Sequence, residues 1–353
     1  MVYVKEYLMK VKIVTIFQLI LIQLVLIFQL SSCQRMQTEE YKWIPTVGAP
    51  QEYPIRIIEG QFISNHGYSP NLPRSAFVNM GWGDNGGVMD VGPEKRPAPD
   101  SLALTWLSFA ENKFYRGRFA LPQQEIANLL KEGYIDHITN KREDYNYLTL
   151  GLTPGGGIVL WLSGGPKQIA VAKFQAKEVK LTAHDLGKDY AFMFEPGFVQ
   201  ETYERNAPAE VRERVVKGEI QPAQFDVWQK RYNWNFTVNS KTVKFHELKP
   251  LYFNQESEEI FGDSLLNNPV AERALPREVI VAWIDKKGQK MLTTLDFDEN
   301  ELRTAFARIP EMGKAELHLE VNPDEYTIAV TFKTGTQETK ITKQKAKTEL
   351  ESD

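Results

Sequence analysis

The chain has 353 residues, with 42 Lys and Arg against 46 Asp and Glu, and a formal net charge of −4. A mildly acidic chain of this kind lacks the basic footprint of a nucleic-acid binder. Its single cysteine excludes an intramolecular disulfide, so stability must come from a packed core, which this length can supply in one domain or two.

At the amino end, Lys5, Lys10 and Lys12 precede an apolar run from Ile13 to Leu30, interrupted by Gln18, Gln23 and Gln29. A basic start, an apolar stretch and small residues are the layout of a secretory signal peptide. The run is also about long enough to span a bilayer, so an uncleaved anchor is the rival reading; its amides disfavour hydrocarbon. Leu30-Ser31-Ser32-Cys33 resembles the bacterial lipobox. That resemblance implies a signal peptide at 1–32, acylation of Cys33, and a tether at 33–40. Several acyl chains on one residue hold durably, since each buried methylene contributes about 0.8 kcal/mol. Gln34 follows the cysteine where inner-membrane retention would use aspartate, which favours the outer membrane. Removing residues 1–32 takes away three Lys and one Glu, leaving a net charge of −6.

The predicted folded part opens with a first unit at 41–182. Leu102, Leu104 and Trp106 alternate with Ala103, Thr105 and Leu107, too apolar on both sides for a strand facing water. Ala110–Lys113 makes a turn, a return strand runs from Phe114 to Leu121, and Pro122 suits the first turn of a helix. Ile126, Leu129 and Leu130 then supply an apolar helical face. A hairpin turns at Thr153–Gly157. This glycine stretch lacks the lysine and hydroxyl of a phosphate loop, and no helix pattern follows it.

Residues 183–231 change character, and prolines open two expected short helices at 208–217 and 222–231. A second unit follows at 232–343. Tyr232-Asn233-Trp234 echoes Tyr41-Lys42-Trp43, residues 278–306 line up with 102–130, and 317–330 with 148–161. Asp298 and Glu301 form a capping-box-like start, with Leu302, Ala305 and Phe306 as the helical face. The expected fold class is α+β: a tandem duplication of an antiparallel sheet unit with one helix packed on a face, joined by a helical linker. Convergence of generic hairpins is the alternative. The charged residues 344–353 read as a disordered tail.

Chemistry is sparse. Histidines at 66, 137, 184, 246 and 318 show no metal-ligand spacing, and no nucleophile elbow occurs, so no metal, cofactor or catalytic residue is expected. Gly81–Gly87 with Asp90 departs from known calcium loops and reads as an ordinary glycine-rich loop. Glu111, Tyr115, Arg116 and Arg118 occur in the first unit only, and two guanidiniums near a carboxylate and a phenol can grip an anionic or polar partner. Long insertions at 64–101 and 249–277 carry aromatic residues, Trp82 among them, that suit an interface or a cover over the sheet.

The blocks "YKW", "APQEYPIRI", "LTWLSFAENKFYRGRFALP" and "LTLGLTPGGGIVLW" resemble the bacterial lipoprotein family defined as domain of unknown function 2931. The resemblance implies an envelope lipoprotein, with an immunity role beside antibacterial effectors as one form, and it assigns no reaction, cofactor or catalytic residue. The expectation is a non-enzymatic module, lipid-anchored through Cys33, that binds an envelope protein partner through Trp82, Glu111, Tyr115, Arg116 and Arg118. A glycan-binding or glycan-processing lipoprotein, with Trp82 and Trp106 as stacking platforms, and an architectural envelope protein are the alternatives.

Overall fold

The computed structural model describes residues 39–74, 77–88, 91–136, 139–219, 221–239 and 243–351. Cys33, the apolar run before it and the tether as far as residue 38 lie outside the described residues, as do Asp90 and His137. No helix among the described residues is long and apolar enough to cross a membrane.

The first half contains β1 (Ile44–Gly48), β2 (Ile55–Ile63), β3 (Ser101–Ser108), β4 (Lys113–Ala120), α1 (Gln123–Glu132), β5 (Tyr147–Thr153), β6 (Gly157–Gly164), β7 (Lys167–Gln175) and β8 (Lys177–Val179). A linker carries α2 (Phe198–Asn206), α3 (Ala209–Lys217) and α4 (Pro222–Trp228). The second half contains β9 (Tyr232–Asn239), β10 (Lys244–Tyr252), β11 (Pro276–Ile284), β12 (Lys290–Asp296), α5 (Glu299–Phe306), β13 (Ala315–Asn322), β14 (Thr327–Thr334), β15 (Gln337–Ile341) and β16 (Lys345–Leu350).

Each half has two sheets around a shared core. Leaving out the short edge strands Gly87–Val88, Ala271–Arg273 and Ile260–Phe261, the orders in the first are β7-β6-β5-β1 and β8-β4-β3-β2, and in the second β15-β14-β13-β9 and β16-β12-β11-β10. Strand for strand, the two orders coincide. Trp43, just before β1, and Trp106, Leu150 and Leu160 from the two sheets of the first half share one cluster with Ile126 and Leu130 of α1. Trp234, Trp283, Leu317 and Val330 do the same in the second with Leu302 and Phe306 of α5. Trp106 and Trp283 are both fully buried, opposite Tyr115 and Met291 across their hairpins.

The fold is mixed α and β, mostly strand and mostly antiparallel, but two features correct the expected unit. It holds two sheets rather than one, and each half has a parallel pair. Ile44–Gly48 runs parallel to Tyr147–Gly151, and β9 runs parallel to β13. A hairpin forces antiparallel pairing. The long excursion through the other sheet and α1 brings the chain back in its original direction.

A third correction concerns the carboxyl end. Lys345–Leu350 is not a disordered tail but an edge strand antiparallel to β12. Thr348 Oγ1 lies 2.9 Å from Thr293 Oγ1 and 2.8 Å from the Tyr326 carbonyl. Its lysines and glutamates gave the segment a disordered composition, yet charged residues are also what an edge strand uses to discourage further pairing.

The helix ends follow their local sequence. Asp298 accepts from the Glu301 amide at 2.8 Å, as a cap should. The Glu301 carboxylate does not close the box. It accepts instead from the amides of Thr342 and Lys343, at 3.0 and 2.9 Å, fixing the chain as it enters β16. In the linker, α3 and α4 fall where the prolines place them. The sequence reading missed α2 and the 3-10 segment Lys188–Phe194, whose Met193 and Tyr203 are buried against Ile58 and Leu107.

In β13, His318 Nδ1 lies 2.9 Å from Thr237 Oγ1 of β9. Burial, and then Lys333, hold this imidazole below its ordinary value of 6.5. The unfolded chain therefore binds the proton more readily, so this stabilisation is complete above pH 6.5 and is lost as the pH falls through the folded value. Urea denaturation at stepwise pH is expected to show the wild type losing stability below pH 6.5 relative to His318→Asn; parallel pH profiles for the two proteins would contradict it.

Candidate functional site

The two halves meet where β7 passes the Asn254–Ser257 turn. Gln168 and Ser257 exchange backbone hydrogen bonds at 3.2 and 3.0 Å, bridging a strand of one half to a loop of the other. Trp161 Nε1 donates to the Asn254 carbonyl at 3.2 Å, and Gln168 Nε2 to the Gln255 carbonyl at 2.7 Å. At the centre is the buried carboxylate of Glu256. It accepts from the Ala170 amide at 3.0 Å, from Asn254 Nδ2 at 2.8 Å, and from the Arg231 guanidinium.

Aromatic rings complete the joint. α4 inserts Phe225 and Trp228 beside Trp82 and Trp161; the Trp82 ring centroid lies 5.2 Å from Trp161 and 5.1 Å from Phe225, both edge to face. Edge-to-face pairs at this spacing add about 0.5–1.5 kcal/mol beyond the area they bury. Arg214 of α3 reaches the buried Glu52 carboxylate at 2.7 Å, which ties the linker to the first half.

The glycine-rich loop wraps closely over this region. A Cβ on Gly48 would sit 2.4 Å from the Gly81 carbonyl oxygen, and Gly81 itself has φ of 134°, a conformation that favours glycine. The loop's anchors are internal: Thr149 Oγ1 donates to Asn85 Oδ1 at 2.6 Å, and Gln168 Nε2 to the Gly83 carbonyl at 3.1 Å. Among the described residues no group of three or more His, Cys, Asp or Glu converges as metal ligands.

Between the halves, above the aromatic joint, lies an open cleft of about 660 Å³. Trp82, Phe225 and Trp228 line it with the amide side chains of Gln51, Asn85, Gln168 and Gln255, and with Asp84, Tyr147 and Arg277. Burial raises the Asp84 carboxyl above its ordinary value, against the pull of Arg277 from the other half. Met80 on the lining is 66 % exposed. With Asn85 Oδ1 and Gln168 Nε2 engaged within the fold, the cleft offers Gln51, the remaining amide atoms of Asn85, Gln168 and Gln255, one cation and an apolar floor, which suit a polar ligand with some apolar surface.

The structure disperses the candidate residues read from the sequence. Trp82 is on the cleft floor but only 5 % exposed, so little of its ring is available to a ligand. Trp106 is fully buried and cannot stack on a sugar. Tyr115 is also buried. Its hydroxyl donates to Glu111 Oε1 at 3.0 Å, and the same oxygen accepts from the Gly155 amide at 3.0 Å. Glu111 and Tyr115 thus hold the β5–β6 turn, where a Cβ on Gly156 would meet the Tyr115 ring at 2.8 Å. Burial, and then Glu111, push the phenol well above its ordinary value. Arg116 and Arg118 are exposed on the opposite face of β4, away from the Tyr115 side chain. The seam turn 254–257 and Arg277 fall within the insertion 249–277 singled out for its aromatic residues, but their own part was missed, because a contact between halves leaves no periodic signal in either.

The family described as "Protein of unknown function (DUF2931)" matches residues 31–246. The chain belongs to this family. The match covers the first half, the linker and the start of the second half, so the cleft wall contributed by Leu251, Gln255, Ser257 and Arg277 lies beyond it. No curated protein and no solved structure matches the chain.

Replacing Glu256 with Ala leaves Arg231 and the Ala170 amide without their common acceptor. Arg231 retains some exposure, so the expected loss is roughly 2–4 kcal/mol, at the lower side of a broken buried ion pair. Chemical denaturation measures it; a loss below about 0.5 kcal/mol, the range of an ordinary surface change, would contradict the central place given to this carboxylate.

Proposed function

We propose that the chain is a bacterial envelope lipoprotein, anchored through lipid on Cys33, that binds a protein partner rather than catalysing a reaction. The carrying observation is the cleft between the halves. Gln51 and the amide atoms of Asn85, Gln168 and Gln255 not engaged within the fold match the hydrogen-bonding groups of an extended polypeptide, and Met80 at its lining supplies a flexible, exposed apolar contact. Tyr68, Val88 and Val91, also exposed, belong to the same long insertion. An immunity protein that captures an envelope-acting toxin is one form of this function. The outer membrane is the expected site, from Gln34 after the cysteine. Matching strand order and the paired positions of Trp106 and Trp283 support a tandem duplication as the origin of the two halves.

A second reading, glycan binding, draws support from one observation: Trp228 is half-buried in the cleft among glutamine and asparagine side chains. Sugar ligands combine such rings with amides.

A photo-crosslinking residue at position 80 of the full chain, in cells labelled with radioactive palmitate, tests both parts. Palmitate should enter the wild type and not Cys33→Ser. Irradiation should give one discrete polypeptide adduct, lost in Arg277→Glu and not formed from position 312, which does not line the cleft. Equal palmitate in both proteins removes the anchor. The absence of a polypeptide adduct, together with a rise in melting temperature on adding sugars, replaces the protein partner with a glycan.

A further inference from the structure

The outer face of the β2-β3-β4 sheet is divided. Over one part lies the linker, with Ile58, Leu107 and Phe114 packed against Met193 and Tyr203. The other part is an open basin of about 500 Å³, lined by Arg116 and Arg118 of β4, Thr105 of β3, Gln61 of β2, and Arg74 and Glu59. It shares no lining residue with the cleft at the seam.

Its electrostatics are opposite to those of the chain. Three arginines and one glutamate give the lining a formal charge of +2, on a protein of net charge −4. All three arginines are exposed, and among the described residues Arg74 and Arg118 form no hydrogen bond or ion pair. Arg116 Nε donates to a neutral acceptor, Thr105 Oγ1, at 3.1 Å. Asp185 feels the Arg116 charge, but it does not line the basin, and its Oδ2 accepts from the Thr182 amide and hydroxyl at 2.8 and 2.7 Å.

The second half supplies an internal comparison. Arg116 and Arg118 pair with Thr105 and Ala103 across their hairpin, and at the corresponding positions Leu292 and Thr294 pair with Ala282 and Ile280. The same sheet therefore forms without these cations. Like charges gathered on one face repel, so folding alone does not account for them.

We propose that this basin binds a phosphoryl group. One guanidinium fork satisfies a carboxylate, whereas a phosphoryl group offers several oxygen edges that three forks can engage. The basin is larger than phosphate itself and admits the rest of a headgroup or of a soluble phosphate ester. Gln61 and Thr105 supply neutral polar groups beside it.

The test uses the full chain in detergent. Inorganic phosphate is titrated calorimetrically, and in a separate arm phosphatidylglycerol is added to the micelles, with phosphatidylcholine as the reference lipid. Arg116→Gln/Arg118→Gln is expected to weaken phosphate binding about tenfold or more, the effect of losing one charge-assisted hydrogen bond. Lys345→Gln/Lys347→Gln, an equal change of charge on exposed β16, should leave it unaltered. Arginine-dependent binding of phosphatidylglycerol alone identifies a lipid headgroup, and of phosphate alone a soluble ester. No binding in either arm, or equal loss in both double variants, overturns the site. Should Arg116→Gln/Arg118→Gln fail to fold, Arg74→Gln decides: unchanged affinity overturns the proposal and a several-fold loss sustains it.

Discussion

The structure depends on one buried carboxylate placed between two sheet systems. Glu256 leaves its own half to accept hydrogen bonds from the Ala170 amide of the other and from Arg231 at the end of the linker. A carboxylate in that position is costly unless its oxygens are occupied, and here each is. That requirement fixes the approach of the Asn254–Ser257 turn to β7. Once the turn is fixed, the backbone exchange between Gln168 and Ser257 and the Trp161 hydrogen bond follow in register.

The remainder of the joint is apolar and less directional. α4 carries Phe225 and Trp228 into the space between halves, so the linker acts as a wedge rather than a mere connection. Because Trp82 comes from the long insertion of the first half, the same packing also fixes the glycine-rich loop, with Gly48 and Gly81 permitting the close backbone approach. The cleft is a consequence of this joint. Its floor is the aromatic cluster, and its two walls belong to different halves. Residues 40–353 accordingly form one compact unit rather than two beads on a string.

Much of each half was legible in the sequence because it rests on local periodicity. The strand around Trp106, the hairpin at Thr153–Gly157, and the faces of α1 and α5 follow from alternation, turn chemistry and helical spacing. The apolar outer face of β3 was legible too, though not its cover. Leu107 lies beneath linker residues whose own apolar positions show no clean period. The parallel strand pairs were not legible, since pairing direction is set by the path of a long crossover. Strand β16 was hidden because a charged edge strand and a disordered tail share a composition.

The candidate site was legible only in fragments. Glu111, Tyr115, Arg116 and Arg118 stand close in sequence, but strand alternation turns the phenol inward and the guanidiniums outward, so one motif serves a turn and an open basin. Trp82 was singled out for its aromatic character, and its place on the cleft floor depends on α4, far away in sequence. The seam is the feature on which the cleft rests, and native-state hydrogen exchange tests it most directly. Amides of β5 and β6 and amides of β13 and β14 are predicted to open with a common free energy, that of unfolding the whole of residues 40–353. Two separate plateaus, one for each half, would show that the halves unfold independently and that the seam does not bind them into one body.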